Sequence, residues 1–218
     1  MSRRPTGCIA PHQLTIAWQT VSLLLDYPDT EMLARLEMIR GASHGLPVAL
    51  GDSIRGFAGH LEQTTLPELQ AEYVETFDNR RRCNLFLTYF AHGDTRKRGM
   101  ALLRFTHAYK QAGQVLCPDE LPDHLSVVCE FAATADLPAG LRLLAEHRAG
   151  VELIRLALDD VGSPYVHALD LVRAVLPELH ARDLATALAL AATGPPAEEV
   201  GLEPFAPPEY MGDTGGRR

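Results

Sequence analysis

Apolar residues in this chain recur every three or four positions, and no segment alternates apolar with polar. That spacing sets the fold class, because a helix returns to the same face every 3.6 residues and a strand every second one. Leu14, Ala17, Trp18, Val21, Leu24 and Leu25 fall on one helical face, and Pro28 ends it. A second helix is expected after Asp29 or Thr30, with Leu33, Leu36 and Ile39 inward and Gly41 closing it. Leu50, Ile54, Phe57, Ala58 and Leu61 mark a third. Thr65 as N-cap and Pro67 in the first turn open a fourth, with Leu69, Tyr73 and Phe77 inward and Glu68, Glu72 and Glu75 on the other side.

Leu85, Phe86, Tyr89 and Phe90 form the most aromatic stretch, which His92-Gly93-Asp94 breaks. Asp94 or Thr95 caps the next expected helix, which carries Leu102, Leu103, Phe105 and Tyr109 before Gly113 closes it. A connector at 117–122 precedes a helix bearing Leu125, Val128, Ala132 and Ala135. Val151, Ile154, Leu158 and Val161 mark another. Ser163-Pro164 reads as the N-cap and first position of a last pair carrying Leu169, Val172 and Leu176, then Leu184 and Leu188. The expectation is an all-α, single-domain bundle of about nine to eleven helices of ordinary length. Leu and Ala supply most of its apolar content, and only 6% of residues are aromatic. It occupies residues 13–192, between a flexible leader at 1–12 and a Pro/Gly-rich flexible tail at 193–218.

A formal charge of −8 argues against nucleic acid, whose binders displace counterions with a broad positive surface. Two short basic runs exist, Arg80 to Arg82 and Arg96 to Arg98. Each reads as a solvated face or as arginines pairing with Asp78 and Asp94 to pin loops. Cys8, Cys83, Cys117 and Cys129 include no CxxC pair, and four scattered cysteines fit a reducing compartment. Ser2-Arg3-Arg4 has the look of a twin-arginine signal, but Pro5, Pro11, His12 and Gln13 interrupt the apolar stretch such a signal needs. No run approaches the length of a membrane span. The chain is therefore expected in the cytoplasm and not as an integral membrane protein.

Catalytic signatures are missing: there is no GxGxxG, Walker loop, HExxH or GxSxG. His124 and Cys129 with Glu130 match no zinc spacing, so they read as a surface histidine and a core cysteine. Asp123-His124 reads either as a helix cap or as a polar pair beside a groove. A helical enzyme or nucleotide-binding regulator remains a rival, but it would need a polar pocket or phosphate cradle that no Gly-rich loop supplies.

Several segments, in order along the chain, resemble the NarJ family of respiratory nitrate reductase assembly chaperones, within the TorD-like chaperones of molybdoenzymes. They are Leu23-Leu24-Leu25-Asp26-Tyr27-Pro28-Asp29; the YxxxFD helix at 73–78; His92-Gly93-Asp94-Thr95-Arg96-Lys97-Arg98-Gly99, similar to HGxxRxRG; Glu120-Leu121-Pro122-Asp123-His124-Leu125 with Glu130-Phe131; and Ala206-Pro207-Pro208-Glu209-Tyr210-Met211. Similarity is lowest between about residues 137 and 205. The resemblance implies a TorD-like helical fold, no catalysis and no stably bound cofactor. It implies a chaperone that binds the apo catalytic α subunit of nitrate reductase, chiefly its N-terminal segment. The chaperone keeps that subunit competent for insertion of the molybdenum cofactor and an iron–sulfur cluster, and delays membrane docking. Service to another molybdoenzyme is the close alternative, and both monomer and dimer remain open.

Such a chaperone needs an apolar groove for an amphipathic helix. Leu85, Phe86, Tyr89 and Phe90, with Leu121 and Leu125, could supply its floor, and Glu72, Glu75, Asp123 and His124 its rim. The candidate client-binding residues are Glu72, Tyr73, Phe77, Asp78, Phe86, Tyr89, His92, Asp94, Arg96, Arg98, Leu121, Pro122, Asp123, His124, Leu125 and Glu130. The competing reading is that the aromatics are ordinary core. Protonation of His124 near neutrality is expected to strengthen its pairing with Asp123 or with client carboxylates.

Overall fold

In a computed structural model, residues 9–93, 95–117, 120–176 and 189 are described. Eleven α-helices follow one another among them: α1 (Pro11–Leu24), α2 (Thr30–Ala34), α3 (Leu36–Ser43), α4 (Val48–Gln63), α5 (Leu66–Tyr73), α6 (Tyr89–His92), α7 (Arg96–Gln111), α8 (Leu125–Thr134), α9 (Leu137–Glu146), α10 (Arg148–Asp160) and α11 (Val166–Val175). The all-α architecture expected from the periodicity is what forms. Helix α1 begins at Pro11, inside the stretch expected as leader. The expected Leu184–Leu188 helix and the tail lie outside the described residues.

Helix α1 is the axis of the bundle. Its Ala17, Trp18, Val21 and Leu24, with Leu25 at its C-cap, are all but sealed from solvent, and it packs against α8, α11 and α3. Helix α11 lies on α4 and α10, and α9 lies on α8. The α8–α9 approach requires Gly140, because a Cβ there would sit 2.4 Å from the Cβ of Ala132. An aromatic nucleus forms around buried Tyr165, whose ring lies 4.9 Å from Phe57 and 4.7 Å from Phe77.

Local signals explain most boundaries. Asp29 caps α2 by accepting a hydrogen bond from Met32 N. At the start of α5, Glu68 Oε2 accepts from the backbone N–H of Thr65 at 3.0 Å, the reciprocal half of a capping box. Gly113, at φ 74°, ends α7 in a Schellman turn: Gln114 N donates to Tyr109 O and Gly113 N to Lys110 O.

Three boundaries differ from expectation. The single helix expected after Asp29 breaks at Arg35 into α2 and α3, and it continues past Gly41 to Ser43. Ser163-Pro164 do not cap α11, which starts at Val166 after a turn in which Val166 N donates to Ser163 O. Helix α5 does not stay α-helical through Phe77. It widens into a π-turn at Val74–Asp78, where Asn79 N reaches back to Val74 O.

Candidate functional site

After the short 3₁₀ turn Arg81–Cys83 the chain leaves helical winding over residues 84–86, where Asn84 Oδ1 accepts from Phe86 N, and then turns into α6. It crosses the turn before α8, and the two segments exchange backbone bonds: Leu87 N to Asp123 O at 3.0 Å and Leu125 N to Leu85 O at 2.9 Å. Phe86 and His124 thereby face each other as an isolated antiparallel bridge, with ring centroids 5.2 Å apart.

Asp123 lies beneath that crossing and is fully buried. Its Oδ2 accepts from Thr88 Oγ1 at 2.5 Å and from Thr88 N at 3.2 Å. Arg98 Nη2 stands 3.6 Å from the same oxygen, and Arg98 Nε donates to Thr88 Oγ1. The Arg98 guanidinium also covers the Phe86 ring, 5.1 Å from its centroid. From α7, the Tyr109 hydroxyl donates to Pro122 O at 2.6 Å. One carboxylate thus ties the 85–88 crossing, the start of α7 and the approach to α8 together.

A second knot adjoins it. The Tyr73 hydroxyl donates to Leu25 O, and its ring meets Tyr27 edge-on at 5.4 Å. Gln70 Nε2 donates to Pro28 O. Burial, aided by the negative charges of Asp26 and Asp78, holds the Tyr73 phenol well above its ordinary pKa. Asp26 also acts on His124, which joins the two knots. Asp26, Tyr27 and Asp78 are exposed, Phe86 and His124 half-buried, and Leu121 is 42% exposed on the turn that ends at His124. The surface is acidic with apolar side chains set into it.

Several expected site residues do not lie on that surface. Tyr73, Phe77, Tyr89, Pro122, Asp123 and Leu125 are buried, as are Leu85 and Phe90. These side chains support the surface rather than form it, and the expected aromatic trough is filled by the protein's own core. Asp123 is not a cap: His124 occupies the N-cap position of α8 without a side-chain cap bond, and its Nδ1 pairs with Ser126 Oγ at 2.7 Å. Arg80 pairs with Glu75, not Asp78, while Arg98 pairs with Asp123. Leu103, expected inward, is 57% exposed.

Glu72 is half-buried against His60, with Nε2 to Oε2 at 2.7 Å. His92 is half-buried in α6, and Arg96 and Glu130 are exposed. Asp94 lies outside the described residues. Burial holds His124 below the usual histidine range, against the opposing pull of Asp26 and Asp123, so the expected protonation near neutrality is disfavoured. Asp26, Tyr27, Thr88 and Ser126 were not among the expected site residues. The similarity at 23–29 was a signal for the first two. Thr88 and Ser126 carry no signal of their own, since a lone hydroxyl in an apolar run has no pattern.

Among the described residues no three His, Cys, Asp or Glu side chains gather as metal ligands, and no helix is long and apolar enough to cross a membrane. The family model described as nitrate reductase delta subunit matches residues 43–170. The Nitrate reductase-like protein NarX of Mycobacterium tuberculosis is 37% identical over 154 residues, which are 71% of this chain and 23% of that protein. This chain therefore spans about a quarter of that relative's length. The "Probable nitrate reductase molybdenum cofactor assembly chaperone NarJ" of Bacillus subtilis is 32% identical over 173 residues, 77% of this chain and 92% of that one. The Escherichia coli K12 nitrate reductase molybdenum cofactor assembly chaperone NarJ is 32% identical over 155 residues, 70% of this chain and 66% of that one. A crystal structure from Archaeoglobus fulgidus, named for redox enzyme maturation, superposes with a TM-score of 0.52 over 82% of this chain and 91% of that one. At 21% identity, that likeness carries the fold alone.

Proposed function

The chain belongs to the nitrate reductase delta subunit family, and on that premise we propose that it is a dedicated assembly chaperone which binds a nitrate reductase client and performs no catalysis itself. The client is the apo catalytic α subunit, held chiefly by its N-terminal segment. Binding in the cytoplasm keeps that subunit competent to receive the molybdenum cofactor and delays its docking at the membrane.

One observation carries this reading. Four of the segments that resemble assembly chaperones, spread from Leu23 to Leu125 in sequence, close on one place, linked through Tyr73, Arg98 and Asp123. Above them lies a surface of Asp26, Tyr27, Asp78, Phe86, Leu121 and His124. A basic, amphipathic client helix fits it: carboxylates speed and orient encounter, and aromatic and aliphatic side chains anchor the apolar stripe. Arg96, Arg98, His92, Glu72 and Glu130 belong to its surroundings. The aromatic core below gives the surface a fixed shape, so little ordering is required of the chaperone on binding.

The test is titration of the purified chain with a labelled peptide from the α subunit's N-terminus, beside N-terminal peptides of other molybdoenzymes. Preferential binding of the nitrate reductase peptide, lost on Asp26→Lys with Asp78→Lys, is expected. Equal binding of all peptides would remove the assignment to nitrate reductase. No binding to the peptide or the apo-subunit would remove the chaperone reading.

A further inference from the structure

Helix α7 carries five Lys or Arg residues and not one Asp or Glu across its 16 positions. The rest of the chain sets 15 basic residues against 28 acidic ones, a formal charge of −13. The helix is thus a cationic rod on an anionic body. Only Phe105 and Tyr109 are buried, so it is anchored along one side.

Its outward side has its own order. Met100, Leu103, His107 and Lys110 fall on one stripe at helical spacing. Met100 is 70% and Leu103 57% exposed, two large apolar side chains held in water side by side. Beside this stripe runs a groove between α7 and α9, a concavity of about 160 Å³ lined by Arg104, His107, Gln111, Arg142, Leu143 and Glu146. It shares Arg104 and His107 with the open surface that Leu103, Thr106 and Lys110 of α7 border. Glu146 is tied to Arg104 at 2.6 Å. Lys97, Lys110 and Arg142 make no ion pair among the described residues.

We propose that the outward face of α7, with the α7–α9 groove, docks an acidic, apolar-bearing polypeptide segment of a partner protein. This face is opposite in sign to the client surface and stands whether or not that reading holds. Charge selects an acidic occupant: Arg98 and Arg104 are already held by Asp123 and Glu146, while Lys110 and Arg142 face solvent without a carboxylate partner among the described residues and favour an anion. Met100 and Leu103 require apolar side chains from it. The concavity selects a polypeptide over a lipid surface: a bilayer rests on the crest of a helix, whereas side chains enter a groove beside it. The net anionic body disfavours nucleic acid. With the usual rise per residue, the helix offers about 24 Å, room for a segment of several turns.

The experiment uses the full chain and a fluorescent synthetic helical peptide bearing Leu on one face and Glu on the others, read by anisotropy. A matched peptide with Lys for Glu and vesicles rich in phosphatidylserine run in parallel. Expected results are binding of the Glu peptide but not the Lys peptide, weakening in salt, and a loss of roughly tenfold in Lys110→Glu with Arg142→Glu, both solvent-facing. Leu103→Asp is expected to lose binding while circular dichroism shows an unchanged fold. Binding of vesicles in preference to the Glu peptide would overturn the proposal in favour of a membrane surface. Concentration-dependent self-association lost in the same variants would overturn it in favour of a second copy. Binding that appears only after removal of residues 194–218 would assign the face to the chain's own acidic C-terminal stretch and overturn it likewise.

Discussion

Replacing Asp123 with alanine removes a fully buried carboxylate that two Thr88 donors and one guanidinium share. The Thr88 amide and hydroxyl lose their acceptor in a place that water does not reach, and Arg98, only 15% exposed, loses a counter-charge. Breaking one side of a buried ionic network costs about 3–5 kcal/mol. For a chain of this size that corresponds to a fall in Tm of roughly 6–20 °C. Asp123→Asn keeps an oxygen for Thr88 but gives up charge assistance, so a loss of about 1–2 kcal/mol is expected. Urea unfolding followed by far-UV circular dichroism measures both, with Glu130→Ala, exposed nearby, as a control expected to shift stability by under about 0.5 kcal/mol. A double-mutant cycle with Arg98→Met isolates the pair, and a coupling of about 1–3 kcal/mol is expected. Additive single-site effects, or a loss below about 1 kcal/mol for Asp123→Ala, would refute the reasoning that this carboxylate holds the crossing together.

Gly140→Val forces a side chain into Ala132, including its backbone, and is expected to cost at least about 1–3 kcal/mol by the same urea assay; unchanged stability would mean that α8 and α9 do not approach as described. Burial holds His124 and His147 below the usual histidine range. The folded state therefore takes up fewer protons than the unfolded chain, and stability is expected to fall as pH drops below about 6.5, by up to about 1.4 kcal/mol per pH unit for each histidine that resists protonation. NMR titration of the two imidazoles checks the direction, and a pKa above 6.5 for His124 would reverse it. Tyr27→Ala, at an exposed ring, is expected to weaken client-peptide binding about tenfold while leaving folding intact; unaltered affinity would move the client elsewhere on the surface.

The long helices were legible because burial imposes a period. The inward residues of α4 are those the 3.6-residue spacing selects; in α1 the bundle buries Thr20 and Ser22 as well and leaves Leu14 half-buried, and Thr65 with Pro67 marks the start of α5. The break at Arg35 leaves no such mark, since Arg and its neighbours are ordinary helix formers. The aromatics from Leu85 to Phe90 looked like excess surface. Most are core because the chain turns inward there: Leu85 and Leu87 flank the bridge at Phe86, Tyr89 and Phe90 begin α6, and Phe86 itself stays half-buried. Asp123 shows the limit most clearly. An Asp before a helix has the local pattern of a cap, and only the long-range approach of Thr88 and Arg98 makes it a buried anchor. The client surface was legible in outline through the segments that compose it, but which residues of each segment face outward depends on how the segments cross.

The wide turn at Val74–Asp78 has a consequence for how this chain tolerates insertion and deletion. It houses one residue more than an ordinary helical turn. Losing a single residue there can be taken up by a return to regular winding, whereas losing one from the regular turns of α5 would rotate everything downstream by about 100° around the axis. Phe77 would then leave the Tyr165 ring. The wide turn is thus the one place in this helix that can absorb a change of length, between an acidic surface outside and an aromatic nucleus inside that must both be reached from one short stretch of backbone.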